Sequence, residues 1–164
     1  NEAMKAHADE IVREGRFQVI WQTGKYYERE MDEFMRGRDA RGIWRGAFIE
    51  RMDLAYAAAD VVVARSGAGT VSELCLVGKA VVFVPSPNVA EDHQTKNAMA
   101  LADRGGALVV PDREAVARVF SEVGRLLADD AVRSEMEKNI RALAVADSAD
   151  RVADEILKVV KRSE

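Results

Sequence analysis

Asp60-Val-Val-Val-Ala-Arg65-Ser-Gly-Ala-Gly-Thr70-Val-Ser-Glu73 is the stretch whose reading decides the fold. Its first half, Val61 to Val63, is a run of β-branched residues without polar interruption. That is the pattern of a parallel strand covered on both faces. The second half turns at Gly67-Ala68-Gly69 and enters a helix read from Thr70 to Val77, closed by Gly78. A strand, a glycine turn and a helix start bring backbone N–H groups and the positive end of a helix dipole to one place. Phosphate is the natural guest there. The spacing matches neither the Walker loop nor a full G-x-G-x-x-G. Thr70 and Glu73 also have the spacing of a capping box, with Thr70 bonding a first-turn amide and Glu73 reaching back. From the residues alone, both roles stay open for Glu73.

Working outward, the same rhythm repeats. Upstream, the sequence predicts a helix over Glu2–Glu14 capped by Gly15, a strand over Phe17–Trp21 and a helix over Tyr26–Met35. A weaker strand over Gly42–Trp44 and a helix over Arg51–Ala59 follow. Downstream, it predicts strands at Ala80–Val84 and Ala107–Val110 and helices at Glu91–Asp103 and Arg113–Leu127. Two more helices are expected around Ala131–Leu143 and Ala149–Val160. Short strands alternating with helices give an α/β fold, a Rossmann-like parallel sheet of five strands with helices on both faces. Ligands of such sheets sit beyond the carboxyl ends of the strands, here the loops at 22–25, 46–50, 65–70, 85–93 and 111–113.

Composition narrows the classes. A chain of 164 residues with 24 Lys+Arg, 28 Asp+Glu and net charge −4 reads as one soluble domain, residues 1–164. The acidic balance argues against nucleic acid as a partner. Cys75 is the single cysteine, so no disulfide scaffold exists. No apolar run approaches the ~20 residues that cross a bilayer. His7 and His93 are the only histidines and no ligand set has metal spacing, so no metal and no cofactor is expected.

The stretch from Ala55 through Glu73 resembles the C-terminal domain of the MurG family, UDP-GlcNAc transferases that complete the lipid-linked peptidoglycan precursor. The likeness continues through Phe48-Ile-Glu-Arg-Met52, Val84-Pro85 and Asp92-His-Gln-Thr-Lys-Asn-Ala98. It implies the C-terminal half of a GT-B glycosyltransferase, inverting and metal-independent, binding UDP-GlcNAc as donor. The family's lipid-linked acceptor and catalytic base belong to an N-terminal half that these residues do not contain, so no residue here is expected to be catalytic. The family also places a strand and a Gly-Gly-Ser phosphate loop before a helix like the one at Asn1. The sheet is therefore expected to lack its first strand. The resemblance further implies a cytoplasmic protein, peripheral on the inner membrane of a bacterium, with no direct membrane insertion by this domain.

Carried over residue by residue, Glu73 binds the ribose hydroxyls, a task for which a carboxylate acceptor is suited. Thr70 lies by the phosphates, and the amides around Ser66, Gly67, Ala68 and Gly69 reach the diphosphate and sugar. Gln94 contacts hydroxyls of GlcNAc, for which an amide offers both acceptor and donors. Phe48 and Ile49 take the uracil, Ile49 through its backbone and Phe48 by packing beside the ring.

Other readings compete. Ser66 is not a nucleophile elbow, because Ala64 and Ala68 stand where glycines are needed. Cys75 reads as a small core residue, and His93 as a local hydrogen-bonding group. Arg151 with Glu155, and Asp154 with Lys158, read as i,i+4 pairs on a solvated helix face. Two other functions fit the same residues: the stand-alone donor-binding subunit of a dolichol-type GlcNAc transferase, and a non-catalytic nucleotide-binding or interaction domain.

Overall fold

The computed structural model describes residues 1–88 and 92–161. Along the chain run α1 (Glu2–Glu14), β1 (Val19–Gln22), α2 (Glu28–Met35), β2 (Ile43–Gly46), α3 (Met52–Ala58) and β3 (Val61–Ala64). After these come α4 (Ala68–Val77), β4 (Ala80–Phe83), α5 (His93–Ala102), β5 (Leu108–Val109), α6 (Ala115–Ala128), α7 (Asp130–Arg141) and α8 (Ser148–Lys161). Every expected strand and helix is present, with shifted ends. Gly15 and Gly78 end α1 and α4 in the left-handed conformation, as read. Only glycine suits position 78, where an added Cβ would also collide with the Arg141 guanidinium. Glu91, the expected start of α5, lies outside the described residues.

All strand pairings are parallel, but the five strands form two ladders instead of one. β1 pairs with β2, and β3-β4-β5 make the second sheet, with no ladder between them among the described residues. β4 is the spine. Val81 and Phe83 enter a cluster with Leu74, Cys75, Ala98, Leu101 and Ile140, while Ala80, Val82 and Val84 pack against Val119, Val123, Leu126 and Met136. Strand alternation sends these residues to opposite faces, so an unbroken apolar run is what a doubly covered strand requires. Cys75 is a buried core residue, as expected.

A third cluster joins α1 and α2 to the first sheet through Met4, Ala8, Ile11, Met31, Met35, Trp21 and Ile43. The opposite face of that pair carries Ile20 and Trp44, which are 44% and 50% exposed. Phe17 does not enter β1 but stacks on Phe120 of α6, ring centroids 6.2 Å apart. On α8 the ion pairs differ from the i,i+4 reading. Arg151 pairs with Asp147 and Lys158 with Glu155, because a long side chain on an exposed helix takes whichever carboxylate its rotamer reaches.

Candidate functional site

The site is built at the carboxyl ends of the strands. β3 ends at Ala64, Gly67 takes an extended conformation, and α4 begins at Ala68. The first intrahelical bond is the Val71 N–H to the Gly67 carbonyl at 2.9 Å, so the amides of Ala68, Gly69 and Thr70 precede it. Among the described residues no side chain caps them. They form an uncapped, positively polarised helix end facing outward from the sheet edge. A Cβ built at Gly67 or Gly69 would meet nothing within 4 Å, so both glycines face open space among the described residues.

This geometry removes the capping-box reading. Thr70 stands inside the first turn instead of at the cap, and Glu73 lies a turn deeper. The Glu73 carboxylate instead accepts from the Tyr56 hydroxyl at 3.2 Å. Tyr56 belongs to α3 and packs its ring against the cluster holding Leu74 and Val81. Burial, then the Glu73 charge, then the hydrogen bond push its phenol up to about 12.

Ser66 and Gln94 are brought together, though not as two ligand-facing side chains. The Ser66 hydroxyl is buried and donates to the Gln94 backbone carbonyl at 2.8 Å, while Asn97 Nδ2 donates to the Ser66 carbonyl at 3.1 Å. That places Ser66 in the frame of the site and leaves it no nucleophilic reach. The Gln94 side-chain oxygen accepts from the Ser86 N–H at 2.9 Å. An amide N–H can only donate, so this bond fixes which way the Gln94 amide points and turns its NH₂ away from Ser86. The sequence expectation gave Gln94 both acceptor and donors toward a sugar; the fold leaves the donors.

Arg65 ties three loops of this edge together. Its Nη1 donates to the carbonyls of Val84 at 3.0 Å and Pro85 at 3.2 Å and pairs with Asp112 at 2.5 Å. Sequence reasoning passed over Arg65 and Tyr56. The one available signal was a charged residue set between an apolar strand and a glycine turn.

Phe48 and Ile49 lie past the end of β2, on the other ladder. The Phe48 ring is 60% exposed. The Ile49 N–H donates to Gln22 Oε1 at 3.1 Å, so a pyrimidine read by that amide requires the Gln22 side chain to swing aside. Asn1 braces the end of the first ladder. Its Nδ2 donates to the Thr23 carbonyl and its Oδ1 accepts from Trp21 Nε1, both at 3.0 Å, at the carboxyl end of β1. A groove of about 470 Å³ between α4, α5 and residues 142–145 includes none of the candidate residues in its lining.

Comparison with known proteins agrees with this architecture. The chain is 46% identical over 145 residues to the UDP-N-acetylglucosamine--N-acetylmuramyl-(pentapeptide) pyrophosphoryl-undecaprenol N-acetylglucosamine transferase of Parabacteroides distasonis, covering 88% of the chain and 39% of that protein. It is 44% identical over 162 residues to the protein of the same name from Bacteroides thetaiotaomicron, covering 98% of the chain and 44% of the relative. The chain thus spans about two fifths of the length of these relatives. The crystal structure of Acinetobacter baumannii MurG superposes with a TM-score of 0.77 at 28% identity, over 96% of this chain and 46% of that one. The residue pattern that defines the glycosyltransferase family 28 C-terminal domain matches residues 1–152, and the chain belongs to that family.

Proposed function

We propose that residues 1–164 act as the donor-binding domain of an inverting N-acetylglucosaminyltransferase. It takes UDP-GlcNAc and serves the transfer of GlcNAc to a lipid-linked MurNAc-pentapeptide during peptidoglycan synthesis. The observation that carries this reading is the uncapped start of α4, with the amides of Ala68, Gly69 and Thr70 beside Glu73 and Gln94. As the glycosidic bond breaks, negative charge grows on the β-phosphate. A fixed helix end aimed at that charge stabilises the departing UDP without reorganising. Glu73 takes the ribose hydroxyls, Phe48 and Ile49 the uracil, and the Gln94 NH₂ an oxygen of the sugar.

The acceptor and the base that deprotonates it are assigned to the part of the longer relatives that this chain does not span. The lipid-linked acceptor implies that the whole protein works at the cytoplasmic face of a bacterial inner membrane as a peripheral protein. Among the described residues no helix is long and apolar enough to cross a membrane. Orienting two substrates supplies much of a transferase's rate, so the 164-residue chain alone should transfer no sugar.

Thermal unfolding of the chain with UDP, UDP-GlcNAc, ADP and GDP tests the reading. A ligand at a hundred times its dissociation constant adds about 2.7 kcal/mol. Stabilisation by the two uridine nucleotides, and not by ADP or GDP, is the expected result. An equal response to all four, or to none, would remove the donor assignment.

A further inference from the structure

We infer that Tyr56 is a positioning residue, whose hydroxyl holds the Glu73 carboxylate in the orientation from which it meets the ligand's ribose. The inference rests on the donor-binding reading above. Three observations carry it. Glu73 is exposed on the first half of α4 with no capping role, so nothing on its own helix fixes its side chain. Tyr56 reaches it from another element, 17 residues away, with its ring anchored among the apolar side chains beneath α3 and α4. The bond engages Oε2 alone, leaving Oε1 to accept from the vicinal hydroxyls of a ribose. α3 also follows directly from the loop carrying Phe48 and Ile49, so one helix links the proposed base and ribose positions.

A rigid aromatic donor suits this task better than a flexible one. A glutamate free in solution samples several rotamers and must lose them on binding, whereas one already bonded has lost them before the ligand arrives. Tyr56 touches no ligand in this account. Its effect passes entirely through Glu73.

The test measures binding of UDP and of 2′,3′-dideoxy-UDP to the wild-type chain, Tyr56→Phe, Glu73→Gln and the double variant by isothermal titration. Losing the pre-set rotamer of one carboxylate should weaken UDP binding of Tyr56→Phe about two- to tenfold and leave dideoxy-UDP unchanged. On the Glu73→Gln background, Tyr56→Phe should add no further loss. Equal weakening of both ligands, or an intact preference for UDP, would overturn the role of Tyr56 while leaving the donor site standing. Wild-type chain that binds no UDP would overturn both. Ultraviolet titration of the three tyrosines supplies a ligand-free control. Glu73→Gln should bring the highest-titrating phenolate down, and an unchanged titration would deny the contact itself.

Discussion

The side-chain oxygen of Gln94 accepts the Ser86 N–H at 2.9 Å, across the mouth of the loop that joins β4 to α5. Gln94→Ala removes this bond and the outward NH₂ together. Affinity for UDP-GlcNAc should therefore fall, while affinity for UDP stays near the wild-type value. Stability should drop by about 1 kcal/mol from the lost backbone partner. Titration with the two ligands, alongside chemical denaturation, separates these effects. Equal loss for both ligands would remove Gln94 from the sugar position.

Arg65 predicts a different pattern. Its Nη1 alone reaches two neighbouring carbonyls of one loop and a carboxylate of another, and the shorter lysine side chain places its ammonium short of that point. Its pairing with Asp112 is half-exposed, so most of the stabilisation comes from the carbonyls of Val84 and Pro85. Arg65→Lys and Arg65→Met should both destabilise the chain by about 1–2 kcal/mol and weaken uridine nucleotides in parallel. A lysine variant with wild-type stability and affinity would show that charge alone suffices.

Gly69 should tolerate a side chain. It lies in the first turn of α4 without a positive φ, and a Cβ there meets nothing. Gly69→Ala is expected to stabilise by about 0.5–1 kcal/mol by restricting the unfolded chain. Urea denaturation measures it, and a destabilised variant would contradict the open space around this residue.

His7 gives the chain a pH-dependent stability. Its Nδ1 lies 3.0 Å from Glu10 and its Nε2 2.8 Å from the Val116 carbonyl on α6. Two acceptors favour the doubly protonated ring, and the Glu10 bond, with the Val116 bond second, raises its pKa above 6.5. A raised folded pKa means the contribution is complete below about 6.5 and fades as pH rises through the folded value. Wild type should therefore lose stability relative to His7→Ala as pH climbs from about 6 to 8. Parallel melting curves for the two chains across that range would exclude the His7 contribution.

How much of this was legible in the sequence depends on range. Val61–Val63, Gly67–Gly69 and Gly78 act locally, through side-chain shape and backbone freedom, and their strand, turn and cap appear where the residues put them. The start of α4 was misjudged by two positions. Thr70 and Glu73 satisfy the capping pattern, yet Gly67 extends and lets the helix begin at Ala68, which no local pattern distinguishes. The bonds that shape the site pair Tyr56 with Glu73, Ser86 with Gln94 and Arg65 with Asp112. They are separated by 17, 8 and 47 residues and follow no period. Each depends on which strands lie side by side, and the division into two ladders has no signature within any single strand.

That division governs how the molecule comes apart. A shared ladder couples strands through rigid, directional bonds, but β1 and β3 share none. The halves meet where α1 lies on α6, through Phe17 stacked on Phe120, the His7 ring 5.2 Å from the same phenyl group and the His7 bond to the Val116 carbonyl. Side-chain stacks yield one contact at a time. With no ladder between them, the β1–β2 half is expected to open as one unit and the β3–β5 half as another, each with its own free energy. Amide exchange at Ile20 and Trp21 will report the first opening, and exchange at Val81 and Val82, sealed on both faces, the second and slower one.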